Sequence, residues 1–156
     1  MIDPGNGNGL RVLVPFLILV LGGGLGIGAL TVPGDWYSGL AKPAFNPPNW
    51  LFGPVWTCLY VLIAIAGSRT FRRDRRGVAM KAWWLQLALN FAWPVAFFAA
   101  HAIAAALAVV LALLGTIIVF MVASRRLDPL AAWLFAPYAA WVGFAMALNG
   151  SILALN

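Results

Sequence analysis

Five apolar runs, each long enough to cross a lipid bilayer as a helix, account for most of this chain of 156 residues. They lie at about residues 10–32, 51–68, 78–100, 102–123 and 129–155. A helix rises about 1.5 Å per residue, so about 20 residues span a hydrocarbon core roughly 30 Å thick. The runs lack the period-two alternation of membrane β-strands. The sequence therefore predicts an all-α integral membrane protein, a five-transmembrane-helix bundle that forms a single domain.

The composition excludes an ordinary soluble domain. The chain is 63% hydrophobic and 9% charged, whereas soluble domains are about 45–50% apolar and about 25% charged. A soluble fold of this size cannot bury so much apolar surface. The formal charge of +6 suggests no nucleic-acid partner, because the cations lie between apolar runs, where they set topology. The first run is predicted to be a helix and not a cleaved signal peptide, because no A-x-A site follows it.

The distribution of Lys and Arg predicts the orientation of the bundle. Nine of the ten cations lie at the start of the first run, between the second and third runs or at the start of the third, and after the fourth run; Lys42 alone lies on the other side. The positive-inside rule places the N-terminus and the loops after runs two and four in the cytoplasm. The 33–50 segment and the C-terminus are then predicted to face outward. Anionic-lipid binding is a functional alternative for the basic cluster.

The 33–50 segment is too long and too rigid for a simple connector. It belongs to a stretch rich in proline and aromatic residues, WYSGLAKPAFNPPNWLFGPVWTCLY, at 36–60. A connector needs only a few residues, and Pro47-Pro48 restricts the backbone ahead of the second helix, which Asn49 is predicted to cap. The segment is predicted to be a lid over a cavity. An aromatic belt at the membrane interface is the alternative.

Helical spacing predicts three aromatic faces. Residues three or four apart share one side of a helix. The faces comprise Trp56, Tyr60, Ile63 and Gly67 in run two; Gln86, Asn90, Trp93 and Phe97 in run three; and Trp133, Pro137, Trp141, Phe144 and Leu148 in run five. Run four is mostly aliphatic, with Gly115-Thr116 and a single aromatic residue, Phe120, and is predicted to be a scaffold helix. The polar residues face either a ligand or other helices, and both readings stay open.

Other signals are weaker. Trp83 and Trp84 lie beside Lys81, which favours anchoring in the interfacial belt. The Gly22-xxx-Gly26 and Gly24-xxx-Gly28 pairs allow close helix contact, either within the monomer or across a dimer seam. The sequence holds no paired carboxylates, no Ser-His-Asp set and no metal-binding cluster, and its single histidine, His101, sits at the end of a run. No firm catalytic residue, metal or required cofactor is therefore predicted.

Three blocks of sequence resemble the tryptophan-rich sensory protein family, which includes the mitochondrial translocator protein (the peripheral-type benzodiazepine receptor). They are the 36–60 stretch, QLALNFAWPVAFF at 86–98 and DPLAAWLFAPYAAWVGFAMALN at 128–149. The resemblance implies a bacterial member with five transmembrane helices, often dimeric, whose cavity opens toward the first loop. It implies that the protein is located in a bacterial membrane, either inner or outer. The positive-inside distribution of Lys and Arg favours the inner membrane.

The resemblance also implies a function. Family members bind porphyrins and related tetrapyrroles, sterols and benzodiazepine-type ligands. The leading prediction is a receptor or sensor with porphyrin as ligand. One alternative is light-dependent degradation of porphyrin by Trp56 and Trp141. Another is transport of a tetrapyrrole or sterol. The C-terminal sequence ALNGSILALN lacks the tyrosine and cation of the mammalian sterol motif, which puts sterol binding in doubt. The predicted ligand-binding residues are Trp36, Tyr37, Trp50, Trp56, Tyr60, Asn90, Trp93, Phe97, Pro137, Tyr138, Trp141 and Phe144.

Overall fold

Five helices that are long and apolar enough to cross a membrane make up the computed structural model, which describes residues 6–156. They are α1 (Gly9–Leu30), α3 (Asn49–Arg73), α4 (Val78–Ala99), α5 (Ile103–Ser124) and α6 (Pro129–Leu155). The short helix α2 (Asp35–Gly39) lies between α1 and α3. No strand occurs in the described part of the chain. The predicted all-α class with five spanning helices is confirmed, and the chain is a multi-pass membrane protein.

Helix α3 departs most from the predicted bounds. It begins with a 3₁₀ turn at Asn49–Leu51 and continues as an α-helix to Arg73. The predicted cap by Asn49 is wrong, because its side chain makes no capping hydrogen bond to the helix. The apolar run ends at residue 68, but the helix continues to Arg73. This extension includes Arg69 and Arg73, which both form ion pairs with the buried carboxylate of Asp128.

Proline interrupts helix α6 and changes which residues face inward. Pro137 has no N–H to donate to the carbonyl of Trp133, so the backbone tightens at Phe135, whose N–H bonds the Ala132 carbonyl at 3.1 Å. Residues before and after this turn therefore do not share one regular helical face. Trp133 is 73% exposed and Pro137 is exposed, whereas Leu148 is buried. The predicted continuous face through Trp133 and Pro137 is wrong.

A buried tryptophan organises the core near the start of α4. Trp83 is fully buried, and its indole N–H donates to the Ile63 carbonyl at 3.0 Å. The ring lies against the backbone of Gly67, where an added Cβ would be 2.3 Å from the ring atom Cε2. Glycine is therefore required at this contact between α3 and α4. The expectation that Trp83 anchors in the interfacial belt is wrong, although its neighbour Trp84 is exposed.

One carboxylate ties together the bundle end at which the arginines cluster. Asp128 is buried and precedes α6, where it accepts a hydrogen bond from the Ala131 N–H at 3.3 Å. Arg69 donates to both of its oxygens, at 2.9 and 3.0 Å, and Arg73 Nε donates at 3.0 Å. Burial raises the pKa of Asp128, but hydrogen bonds and the two guanidinium charges outweigh it, so the pKa lies below its ordinary value. The carboxylate therefore locks α3 to the α5–α6 junction.

Candidate functional site

A cavity of about 440 Å³ lies between α1, α3, α4 and α6, with α2 at its end remote from the arginine cluster, which is termed the outer end of the bundle. Seven of the residues predicted to bind ligand line it: Tyr37, Trp56, Tyr60, Asn90, Trp93, Phe97 and Trp141. Helix α5 contributes no residue to this wall within the described range, in keeping with its predicted scaffold character. The three helices with predicted aromatic faces thus meet at one cavity.

Paired rings form the walls of the cavity. Trp93 and Phe97, one turn apart on α4, stack with ring centroids 5.4 Å apart and an interplanar angle of 25°. Trp56 and Tyr60, one turn apart on α3, lie 5.4 Å apart at 31°. On the regular α-helix that carries Trp56 and Tyr60, a spacing of four residues places the two rings above one another. Trp93 and Phe97 are also four residues apart, but the backbone over Val95–Ala99 is a π-helix. The result is two broad aromatic surfaces contributed by different helices.

The polar side chains at the inner end of the cavity are joined across the bundle. The Asn90 amide donates to the Tyr138 hydroxyl at 2.9 Å, and that hydroxyl donates to Gln86 Oε1 at 2.9 Å. Tyr60 donates to Asn90 Oδ1 at 3.4 Å, close to the upper limit for a hydrogen bond. Asn90 therefore bonds side chains of other helices and also lines the cavity, and its contact with a ligand stays a prediction. Tyr138 is fully buried, and its hydroxyl is already engaged.

A second amide sets the orientation of Trp93. Its indole N–H donates to Asn149 Oδ1 at 3.1 Å, and the Asn149 amide donates to the Ile103 carbonyl at 3.0 Å. This chain of bonds links α4, α6 and the first residue of α5. It holds the indole in one rotamer, so the aromatic surface is formed before any ligand arrives.

Helix α1 supplies a wall that the sequence reading missed. Gly24 and Gly28 line the cavity, and a Cβ added at Gly24 would lie 2.2 Å from Tyr60 Cε2. The Tyr60 ring therefore packs directly on the α1 backbone. At Gly24, the glycine pattern serves packing within the monomer. In the sequence, only the glycine spacing on α1 indicated this contact. The ring that requires glycine at this position belongs to Tyr60, on another helix.

The cavity is open at its side as well as capped at its end. Its lining residues Leu25 and Ala29 on α1, and Gly53 and Thr57 on α3, are all exposed. Because both helices are long enough to cross the membrane, this opening lies at the level of the lipid acyl chains. At the outer end, Tyr37 of α2 is buried against the bundle.

Five predicted residues do not line the cavity: Trp36, Trp50, Pro137, Tyr138 and Phe144. Trp36 instead stacks on His101, with centroids 4.2 Å apart, and Trp50 is 71% exposed. Phe144 lies behind Trp141, with ring centroids 5.5 Å apart. The aromatic residues Trp36, Tyr37 and Trp50 of the 33–50 segment were predicted to bind ligand, but of these three only Tyr37 lines the cavity.

The outer segment is tied down at several points. The Lys42 ammonium lies 4.6 Å from the centroid of the Tyr37 ring and donates to the carbonyls of Ser38 and Leu40. Asn156, at the end of the chain, exchanges two hydrogen bonds of 3.0 Å with the backbone of Ala41. These contacts hold the segment over the outer end of the bundle.

The chemistry of the cavity wall suits binding. No group of His, Cys, Asp or Glu residues that could hold a metal occurs among residues 6–156. Within the same range, the cavity wall carries no carboxylate, histidine or cysteine side chain, and its polar side-chain groups are amides, hydroxyls and indole N–H groups. Such a wall can stack on an apolar ligand and orient it with a few hydrogen bonds.

Comparison with known proteins gives consistent results. Residues 14–155 match the model of the TspO/MBR family. The chain is 40% identical over 129 residues to the tryptophan-rich sensory protein of Cereibacter sphaeroides, covering 83% of this chain and 82% of that protein. It is 39% identical over 147 residues to the human translocator protein, with 87% and 86% covered. It is 35% identical over 133 residues to the protein CrtK of Rhodobacter capsulatus, with 83% of each covered.

Proposed function

The chain belongs to the TspO/MBR family, and from that premise we propose that it is a membrane-embedded receptor for porphyrins or similar flat hydrophobic ligands. The observation that carries the proposal is the meeting of two aromatic surfaces, Trp56–Tyr60 and Trp93–Phe97, in one cavity. Indole and phenyl faces stack on planar ring systems and bury large apolar areas.

The dimensions and polarity of the cavity support this ligand class. Its volume of about 440 Å³ lies within the range of about 300–1,000 Å³ that is usual for small-molecule sites. The lateral opening between α1 and α3 allows a macrocycle to extend beyond the enclosed part. The ligand partitions into lipid and reaches the cavity through this opening.

The 33–50 segment acts as the cover that responds to ligand. The segment lines the cavity through Pro33, Tyr37 and Asn49, and Asn156 and Lys42 hold the segment in place. A ligand that displaces the Tyr37 ring shifts the segment, and that shift constitutes the signal.

Titration with protoporphyrin tests the proposal. Quenching of tryptophan fluorescence gives the dissociation constant for wild type and for Trp56→Phe, Trp141→Phe. We expect about tenfold weaker binding by the double variant, equivalent to ~1.4 kcal/mol, because two indole faces are lost. The matched control is Trp50→Phe, Trp133→Phe, which removes two indoles that are 71% and 73% exposed outside the cavity. Equal affinities of the two double variants would contradict the proposal.

A second candidate is light-dependent oxidation of bound porphyrin by molecular oxygen. It is favoured by the location of Trp56 and Trp141 on the wall of the same cavity, where both indoles can exchange electrons with a bound macrocycle. Illumination under oxygen, followed by chromatography, distinguishes the two functions. New products support degradation, and unaltered porphyrin supports binding alone. Transport, sterol binding, homodimer formation and the orientation of the termini stay predictions.

A further inference from the structure

A second concavity, of about 390 Å³, lies on the outer surface of the bundle between α4 and α5. It shares no residue with the aromatic cavity. Its lining includes Val78, Lys81 and Leu85 from α4 and Ala112, Gly115 and Thr116 from α5. We propose that this α4–α5 groove binds an acyl chain of an anionic phospholipid, with the lipid phosphate against Lys81.

The groove is apolar except at one end. Thr116 donates its hydroxyl to the Ala112 carbonyl at 2.8 Å, so this polar atom is satisfied within the helix. A Cβ added at Gly115 would meet no atom within 4 Å, so the floor is open at that point. Water has no polar partners along such a surface. In a membrane, an acyl chain is the occupant that fills it without burying an unsatisfied group.

Lys81 supplies the charge that selects the headgroup. It lies exposed in the first turn of α4, and among the described residues its ammonium makes no hydrogen bond or ion pair. Arg75 and Arg76 precede α4, and Arg125 and Arg126 follow α5. Since α4 and α5 are connected by a short turn, these cations lie at the same end of the hairpin. Their combined field favours an anionic headgroup.

The same charge disfavours a second copy of the chain as occupant. A two-fold interface places the same residues of both copies against each other. Two such grooves packed together would bring the two Lys81 ammonium groups close in a medium of low dielectric constant, where like charges repel strongly. A phosphate at this position has the opposite effect.

Native mass spectrometry of the detergent-solubilised protein tests the proposal with phosphatidylglycerol and phosphatidylcholine of identical acyl chains. We expect wild type to retain phosphatidylglycerol preferentially. Lys81→Gln should weaken phosphatidylglycerol binding about fivefold, equivalent to ~1 kcal/mol, and should leave phosphatidylcholine unchanged. The matched control is Arg11→Gln, which removes an exposed cation at the same end of the bundle but on α1. Gly115→Leu should fill the groove and reduce binding of both lipids.

Several results would overturn the inference. Equal retention of the two lipids by wild type, or equal losses in Lys81→Gln and Arg11→Gln, would mean that the groove does not select the headgroup. If Gly115→Leu abolishes crosslinked dimers while lipid retention is unchanged, the occupant is a second copy. Because Lys81 is exposed, its substitution leaves the fold intact, and circular dichroism verifies this. None of these readouts depends on porphyrin, so failure here is distinct from failure of the proposed receptor function.

Discussion

Replacing Asp128 tests whether one buried carboxylate holds the arginine-rich end of the bundle together. Asp128→Ala removes two hydrogen bonds from Arg69, one from Arg73 and the helix cap at Ala131. Asp128→Asn keeps the shape and a capping oxygen but removes the charge. The two variants therefore separate the contribution of the cap from that of the ion pairs.

The structure sets the expected magnitude. Breaking a buried ion pair costs about 3–5 kcal/mol when the remaining charge stays buried. Here the side chains of Arg69 and Arg73 are 28% and 52% exposed, so both guanidinium groups can turn toward water and the lower end applies. We expect Asp128→Ala to lose about 3 kcal/mol, of which the cap accounts for ~1 kcal/mol. Asp128→Asn should lose roughly 2 kcal/mol, because asparagine caps as well as aspartate.

Thermal unfolding in detergent, followed by tryptophan fluorescence, provides the measurement. For a chain of this length ~1 kcal/mol corresponds to about 2–4 °C in Tm, so Asp128→Ala should unfold roughly 6–12 °C below wild type. The folded-state pKa of Asp128 lies below its ordinary value. Its contribution is therefore complete above the unfolded pKa of about 3.9 and is lost as the pH falls through the folded pKa. The difference in Tm between wild type and Asp128→Asn should be constant from about pH 7 to 5 and should shrink below about pH 4.

The control is Asp35→Asn, since Asp35 is exposed and forms no ion pair among the described residues. Its Tm should stay within about 2 °C of wild type, as is usual for surface substitutions. If Asp128→Ala and Asp35→Asn unfold at the same temperature, the Arg69–Asp128–Arg73 contact contributes nothing measurable, and the reasoning is refuted. A difference between wild type and Asp128→Asn that does not change with pH would refute the electrostatic part alone.

Two further pairs of substitutions test the packing of the cavity wall and the hydrogen bonds at its inner end. Gly24→Val places a Cβ about 2.2 Å from Tyr60 Cε2 and should lower protoporphyrin affinity more than tenfold in the quenching titration, because the ring must move into the cavity. Gly26→Val, with open space at its Cβ, should bind protoporphyrin like wild type. Equal affinities of the Gly24→Val and Gly26→Val variants would contradict the packing argument. Tyr138→Phe leaves two buried amide partners short of a bond and should lower Tm by roughly 4–8 °C. Tyr60→Phe, which loses only a 3.4 Å contact, should change Tm little, and a reversed order would refute this ranking.

Much of the cavity followed from spacing along regular helices. Trp56, Tyr60, Asn90 and Trp93 lie at intervals of three or four residues, and the structure places all four on the cavity wall. Where the helix is uninterrupted, residues three or four apart lie on the same face. The same argument failed for Trp133, because the backbone of α6 is broken at Phe135, between Trp133 and the rest of the predicted face. Pro137 lies after the break, on the same regular helix as Trp141, and is nevertheless exposed.

Other features depend on contacts between distant parts of the chain. Trp83 lies two residues from Lys81 in sequence, yet it is fully buried because Gly67 of another helix leaves room for its ring. Gly24 has no side chain, so its role becomes visible only when Tyr60 is placed beside it. The pairing of Asp128 with Arg69 joins residues 59 positions apart, and local sequence does not specify such a partner.

The sequence by itself determined the membrane environment, the helical class and the number of spans, because the cost of exposing backbone or charge to lipid depends on local composition and run length. It also determined which residues of α3 and α4 share a face. Only the tertiary structure decided that α1 closes the cavity, that α6 turns two aromatic-face residues outward, and that Trp83 lies in the core. These outcomes depend on the shape of the partner helix, and packing of that kind is a property of pairs of surfaces and not of any single run of residues.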